Sequence, residues 1–277
     1  MFIPKSFEGD DLLFHYTSSK VAIDFVLKGG KLRLSPRKKS RDPIESMKLS
    51  FSVGLSAITQ DEFNRIESSN KMDAEKLRLD VDDRINQVKQ VCFCMNDVSG
   101  KYDKERFKPF EYFGCMEPRM WEQYGDEYSG VCLVFSKKRL IEKLEEDAVY
   151  DDVNYITYSK LSNNHNRIDL NVLDKIGLDD YRREYFKVLN KNIFNKHVGY
   201  VGENEFRVCC FSKEEFENIS FEDALIGIVI SDKASKDEIG KLKKFAEDNN
   251  IQWIKINWQS TGVSITNPRF MEELTGN

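Results

Sequence analysis

Glu203-Asn204-Glu205-Phe206-Arg207, continuing into Val208-Cys209-Cys210, sets the reading of this chain. Side chains alternate along a strand, so Glu203, Glu205 and Arg207 are expected on one face and Asn204, Phe206 and Val208 on the other. Phe and Val suit the face that packs on a core. Two carboxylates and a guanidinium held side by side on rigid backbone suit a cleft, where they could stabilise a cation that exists only in a transition state. The same pattern also fits an edge strand with a solvated charged face.

Outward from this stretch, strands and helices are interspersed. Strand patterns cover 12–16, 31–35, 91–95, 130–135, 149–158, 225–230 and 251–258. Ser18 is placed to cap a helix on Val21, Ala22, Phe25 and Val26 that Gly29-Gly30 ends. One or two polar surface helices are expected over 60–90, a short helix from Pro118, a helix over 137–146, a long amphipathic helix over 169–192, and another over 236–249. The segment 49–58 reads equally as strand or helix. Such a mixture predicts an α+β or α/β single domain spanning 1–277.

The chain has 277 residues, 40% of them hydrophobic and 12% aromatic, enough for a globular core. Its net charge of -5 argues against a general nucleic-acid coat. A basic run (Lys31, Arg33, Arg37, Lys38, Lys39, Arg41) is a candidate phosphate contact or a solvated face. No apolar leader opens the chain, and its longest apolar run, 224–230, is too short to cross a bilayer, so a cytoplasmic protein with no membrane partner is expected. The six cysteines form no Cys-x-x-Cys pair, and none of the three histidines shares a helical turn with a Cys or another His, so no metal site is expected. A Gly-rich phosphate loop is missing as well.

Four stretches together resemble a bacterial family, domain-of-unknown-function family twenty-nine seventy-one. They are Phe14-His15-Tyr16-Thr17-Ser18, Leu34-Ser35 with Asp42-Pro43-Ile44-Glu45, Met120-Trp121-Glu122-Gln123-Tyr124 with Gly130-Val131-Cys132, and Glu203-Asn204-Glu205-Phe206-Arg207. They span most of the chain in the family's order. Arg41 stands where the family has Asn, Gln123 where it has His, and the aromatic expected between Lys196 and Glu203 is shifted to Tyr200. That family is in turn similar to the ADP-ribosyltransferase fold, which implies a split pair of mixed β-sheets with surrounding helices and a helical insert over about 46–90.

The resemblance implies NAD as substrate and no metal. By position it implies Glu205 and Glu203 as catalytic residues, and His15, Tyr16, Thr17, Ser35, Trp121, Tyr124 and Arg207 as NAD contacts. It also implies a glycosyltransferase that moves ADP-ribose onto a macromolecular acceptor, protein or nucleic acid, or hydrolyses NAD, in the setting of a toxin or antiviral defence effector. For several residues the plainer reading stands beside this one. His15 also fits a hydrogen-bonded core residue, Trp121 and Tyr124 share a helix face suited to the core, Arg207 fits a cross-strand ion pair, and Glu45 either anchors the basic loop or lies on the surface. The alternative function is a non-catalytic nucleotide or nucleic-acid binding module.

Overall fold

The computed structural model describes residues 3–40, 42, 45, 52–57, 59–98, 109–163 and 167–268. Arg41, Pro43, Ile44, the start of the expected insert and residues 49–51 and 58 of the strand-or-helix segment lie outside the described residues.

The strands are β1 (Leu12–Thr17), β2 (Lys31–Pro36), β3 (Ser52–Gly54), β4 (Val88–Cys94), β5 (Val131–Ser136), β6 (Val149–Asp152), β7 (Asn154–Ile156), β8 (Arg167–Asp169), β9 (Asn195–His197), β10 (Glu205–Phe211), β11 (Glu217–Ser220), β12 (Leu225–Ser231), β13 (Gln252–Gln259) and β14 (Gly262–Thr266). Ten of them form one mixed sheet in the order β11-β2-β4-β1-β5-β12-β13-β14, with β10 on β4 and β6 on β10. Two ribbons, β3 with β8 and β7 with β9, stand apart from it. The molecule is therefore α+β.

The centre of the sheet follows from unbroken apolar sequence. All six residues of β5 are buried between β1 and β12, as expected for a strand covered on both faces. Leu13, Leu133, Phe135 and Ile228 pack on one face, and Phe14, Cys132, Val134 and Val229 on the other. Strands β12 and β13 run parallel. The helix Lys236–Asp248 crosses between them, opened by a capping box in which Ser235 and Glu238 satisfy each other's backbone N–H groups. A separate apolar cluster holds the helix Gln60–Gln87 against Leu170–Ile176 and Leu178–Asn192 through Ile66, Leu77, Val81, Leu173 and Leu189.

The structure corrects several sequence expectations. The helix expected over 169–192 is two helices, because Gly177 adopts φ +80 and turns the chain between them. The helix expected to reach Gln90 stops at Gln87, and Val88-Lys89-Gln90 begins β4. The strand expected from Glu203 begins at Glu205. Asn204 is left-handed (φ 40, ψ 58), and its side-chain amide donates to the carbonyls of Met95 and Asn96 at 3.1 and 2.9 Å, which offsets the cost of that conformation.

The split pair of sheets implied by the resemblance is replaced by one sheet that parts locally. Strand β10 covers the whole of one edge of β4, from Glu205 opposite Cys94 to Phe211 opposite Val88. The other edge is shared. Phe14 of β1 pairs with Cys94, while Ser35 and Pro36 of β2 pair with Gln90 and Lys89. Pro36 has no N–H to extend the ladder. No described residue of β1 or β2 pairs with Val91-Cys92-Phe93 on this edge. The sheet forks there, and the fork opens a pocket.

Candidate functional site

The pocket at the fork has a volume of about 280 Å³. Six residues singled out in the sequence line it: His15 and Tyr16 from β1, Ser35 from β2, Tyr124 from the end of the helix Pro118–Gln123, and Glu203 and Glu205 around the start of β10. Arg33 and Lys39 of the basic run line it too, both exposed.

Three predicted contacts are not in its wall. Trp121 is fully buried, donates its indole N–H to the Cys115 carbonyl at 2.8 Å and meets Tyr16 edge to face, so it belongs to the core. Thr17 ends β1 opposite Val131, away from the lining. Arg207 has no exposed surface and pairs with Glu205, which leaves it no direct contact with a phosphate. Tyr16 lines the pocket, and its hydroxyl donates to the Gly114 carbonyl at 2.6 Å.

At the wall of the pocket lies a buried ionic cluster. Lys196 on β9 donates to Glu203 Oε2 at 2.6 Å and to Glu205 Oε2 at 3.0 Å. Arg207 donates Nε to Glu205 Oε1, Nη2 to Glu205 Oε2 at 3.1 Å, Nη2 again to Glu45 Oε1, and Nη1 to the Ile193 carbonyl at 2.9 Å. Tyr155 on β7 accepts the Glu205 backbone N–H at 3.0 Å. The β7–β9 ribbon thus delivers both Lys196 and Tyr155, which stand opposite each other in its register. Glu203 and Glu205 were expected one strand repeat apart on a common face. Only Glu205 and Arg207 share a strand face, and Glu203 joins them from the 3₁₀ turn before Asn204 through the shared lysine.

The two carboxylates are driven in opposite directions. Burial pushes the Glu203 carboxyl up, and Lys196 only partly offsets it. Burial acts the same way on Glu205, but the Arg207 guanidinium and Lys196 outweigh it and hold that carboxyl at about 2. Lys196 is raised against the effect of burial by its two carboxylates, so it stays charged. A pair of acids pushed apart in this way is suited to one fixed anion and one proton carrier.

Three acceptors on residues that line the pocket lack a donor among the described residues. Glu203 Oε1 and Gln90 Oε1 are buried and have no hydrogen-bond partner among the described residues. The third is on His15. Its Nδ1 lies 3.0 Å from the Cys92 carbonyl, which can only accept, so Nδ1 carries the proton. Burial lowers the His15 pKa, the ring is neutral, and Nε2 keeps its lone pair. Backbone groups of one strand residue face one edge, so the Cys92 N–H faces the fork beside its carbonyl. Such a wall fits a ligand rich in hydroxyl or amide donors with one acceptor to offer.

The pH dependence of folding follows from Glu205. Its carboxyl sits at about 2 in the fold and near 4.3 in an unfolded chain, so its contribution is complete above the unfolded value and is lost as pH falls through the folded one. Glu203, pushed up by burial, has the opposite sign, since acid relieves the cost of its charge. Urea titrations between pH 5 and pH 2 are expected to show a shallower acid loss in Glu205→Gln than in the parent. Parallel slopes would contradict the ion-pair assignment.

Lys196, Tyr155, Gln90 and Cys92 carry no signal in the sequence that marks them for this site. Glu45, expected to anchor the basic loop or lie on the surface, does the first, accepting from Arg37 and Ser40, and is also buried against Arg207. Among the described residues no group of three or more His, Cys, Asp or Glu is arranged to hold a metal ion, and no helix is long and apolar enough to cross a membrane.

Residues 120–208 match a family described as "Protein of unknown function (DUF2971)". The match takes in Met120, Tyr124, Lys196, Glu203, Glu205 and Arg207 and leaves out β1 and β2, so it is narrower than the whole-chain resemblance read from the four stretches. No curated protein and no solved structure matches the chain.

Proposed function

We propose that this protein cleaves the bond between nicotinamide and ribose in NAD and passes the ADP-ribosyl group to a macromolecular acceptor or to water. The observation that carries this reading is the opposed pair of carboxylates, Glu205 held ionised and Glu203 pushed up, joined by one lysine in the wall of the pocket.

As the C1′–N bond breaks, its electron pair leaves with the nicotinamide nitrogen, which becomes neutral. The ribose is left as an oxocarbenium-like cation, as in glycoside cleavage. Glu205, fixed by Arg207 and Lys196, presents a negative charge that needs no reorganisation as the positive charge grows. Glu203 takes the proton of the incoming nucleophile. Ribose hydroxyls would donate to the lone pairs of His15 Nε2 and Glu203 Oε1, and a carboxamide would pair with Gln90 Oε1 and the Cys92 N–H. Tyr124, which lines the pocket, would stack on the nicotinamide ring.

About 280 Å³ suits the nicotinamide riboside end but not the whole dinucleotide. The diphosphate then lies outward, against the exposed Arg33 and Lys39. An unrestrained activity of this kind would poison its host, the setting of a toxin or anti-phage effector. The same basic mouth also supports a second reading, a nucleotide-binding module without chemistry, in which the bond in NAD stays intact.

A thermal-shift series tests ligand choice. NAD at a hundred times its dissociation constant is expected to stabilise the protein by about 2.7 kcal/mol. No stabilisation by NAD, ADP-ribose or nicotinamide up to millimolar concentration would contradict the proposal.

A further inference from the structure

Glu45 reaches the ionic cluster from a part of the chain 162 residues away from Arg207. It is nearly as buried as the groups it meets, with 4% of its surface exposed. Every oxygen it has is engaged. Oε1 accepts from Arg207 Nη2, Oε2 accepts from the Ser40 hydroxyl at 2.6 Å, and the backbone carbonyl accepts from Arg37 Nη1 at 3.0 Å. Lys39, Ser40 and Glu45 itself line the pocket.

Glu45 and Glu205 both grip the same Nη2. A buried guanidinium with one carboxylate partner would spend its charge on that partner alone. With two, its charge is divided and Glu205 keeps more of its own field toward the pocket. The guanidinium is held at all three nitrogens, Nε and Nη2 by Glu205, Nη2 again by Glu45 and Nη1 by the Ile193 carbonyl, so its plane cannot follow Glu205 away from the pocket wall. Ser40 and Arg37, through Glu45, tie that wall to the same arginine.

We propose that Glu45 is a positioning residue. Acting through Arg207, it fixes the direction and the free charge of the Glu205 carboxylate, and it couples Ser40 in the pocket wall to the charged cluster. Its effect on turnover rests on the NAD reading above, while its effect on Arg207 does not.

The test uses the full-length protein in three forms: parent, Glu45→Gln and Glu45→Asp. Without ligand, the Arg207 guanidinium is followed by ¹⁵N-edited NMR. In the parent, hindered rotation should keep its Nη protons as separate resonances. In Glu45→Gln these should coalesce, and in Glu45→Asp they should stay separate. With NAD, Glu45→Gln should lower kcat by about 10²-fold, the scale of a misplaced catalytic group. KM should stay within about threefold, because binding is not the interaction removed. Glu45→Asp should recover most of the loss.

Separate Arg207 resonances in Glu45→Gln would overturn the proposal, whatever the protein turns over. So would equal loss of kcat in the Gln and Asp variants. Absence of NAD turnover in the parent would sink the NAD reading alone, and the Arg207 resonances would still decide the role of Glu45. Should Glu45→Gln fail to fold, Ser40→Ala removes one of the three contacts on Glu45. It is read by the Arg207 resonances only, where broadening supports the coupling and an unchanged spectrum overturns it.

Discussion

Arg207→Met is expected to lower the unfolding free energy by about 3–5 kcal/mol, measured by urea titration at neutral pH. The side chain has no exposed surface and serves two buried carboxylates, Glu205 and Glu45, along with the Ile193 carbonyl. Methionine fills the volume but leaves two desolvated anions facing one another, with only Lys196 nearby on the Glu205 side. The loss should be largest at neutral pH and should shrink on acidification, as the stranded Glu205 takes up a proton. Removing the charges with the arginine, in Arg207→Met with Glu205→Gln and Glu45→Gln, should restore a large part of the loss, because the residues form one coupled unit. A cost below about 1 kcal/mol for Arg207→Met alone would mean that the cluster is solvated and contributes little.

The second large effect separates the two carboxylates. Glu205→Gln should lower nicotinamide release by about 10²–10³-fold with or without an acceptor, because the fixed anion under the ribose serves both outcomes. Glu203→Gln should lower transfer by about 10²–10⁴-fold while residual hydrolysis survives, because it removes only proton acceptance from the nucleophile. The shared Lys196 makes this distinction sharper than separate positions on a strand would. When Glu203 loses its charge, Lys196 still has Glu205, so the anion that the proposed reaction sets under the ribose would remain paired. Paired assays of released nicotinamide and of ADP-ribose incorporated into acceptor read the two activities. Identical losses in both variants would show that the carboxylates act as a single unit.

Much of this architecture was legible before any coordinates, and the exceptions have physical causes. The central strands β1, β5 and β12 announce themselves as short apolar runs because they are covered on both faces. The edge strand β14 and the short β9 and β11 do not. Their burial is partial, and pairing rather than composition defines them. The alternation of Glu205, Phe206 and Arg207 predicted their faces, with Phe206 in the core. It failed one residue earlier, where Asn204 turns left-handed to bond two carbonyls of the chain after β4.

Tyr124 and Trp121 sit on one helix face, and only the structure shows that the first reaches the pocket while the second is enclosed. Glu45 and Lys196 could not be found by local pattern. Their role is made by contacts that cross the chain, one spanning 162 positions and the other joining a ribbon to a turn. His15 was read as either a core residue or a ligand contact, and the structure shows it bonded to the Cys92 carbonyl and lining the pocket. One ring nitrogen holds the fork at Cys92, and the other is left for the pocket.

The central claim is tested most directly by incubating purified protein with NAD and measuring free nicotinamide over time, in the parent and in Glu205→Gln. The account predicts release by the parent, with or without added cell lysate as a source of acceptor, and a fall of about 10²–10³-fold in the variant at unchanged fold. No release by the parent with any lysate, or equal release by parent and Glu205→Gln, would contradict it.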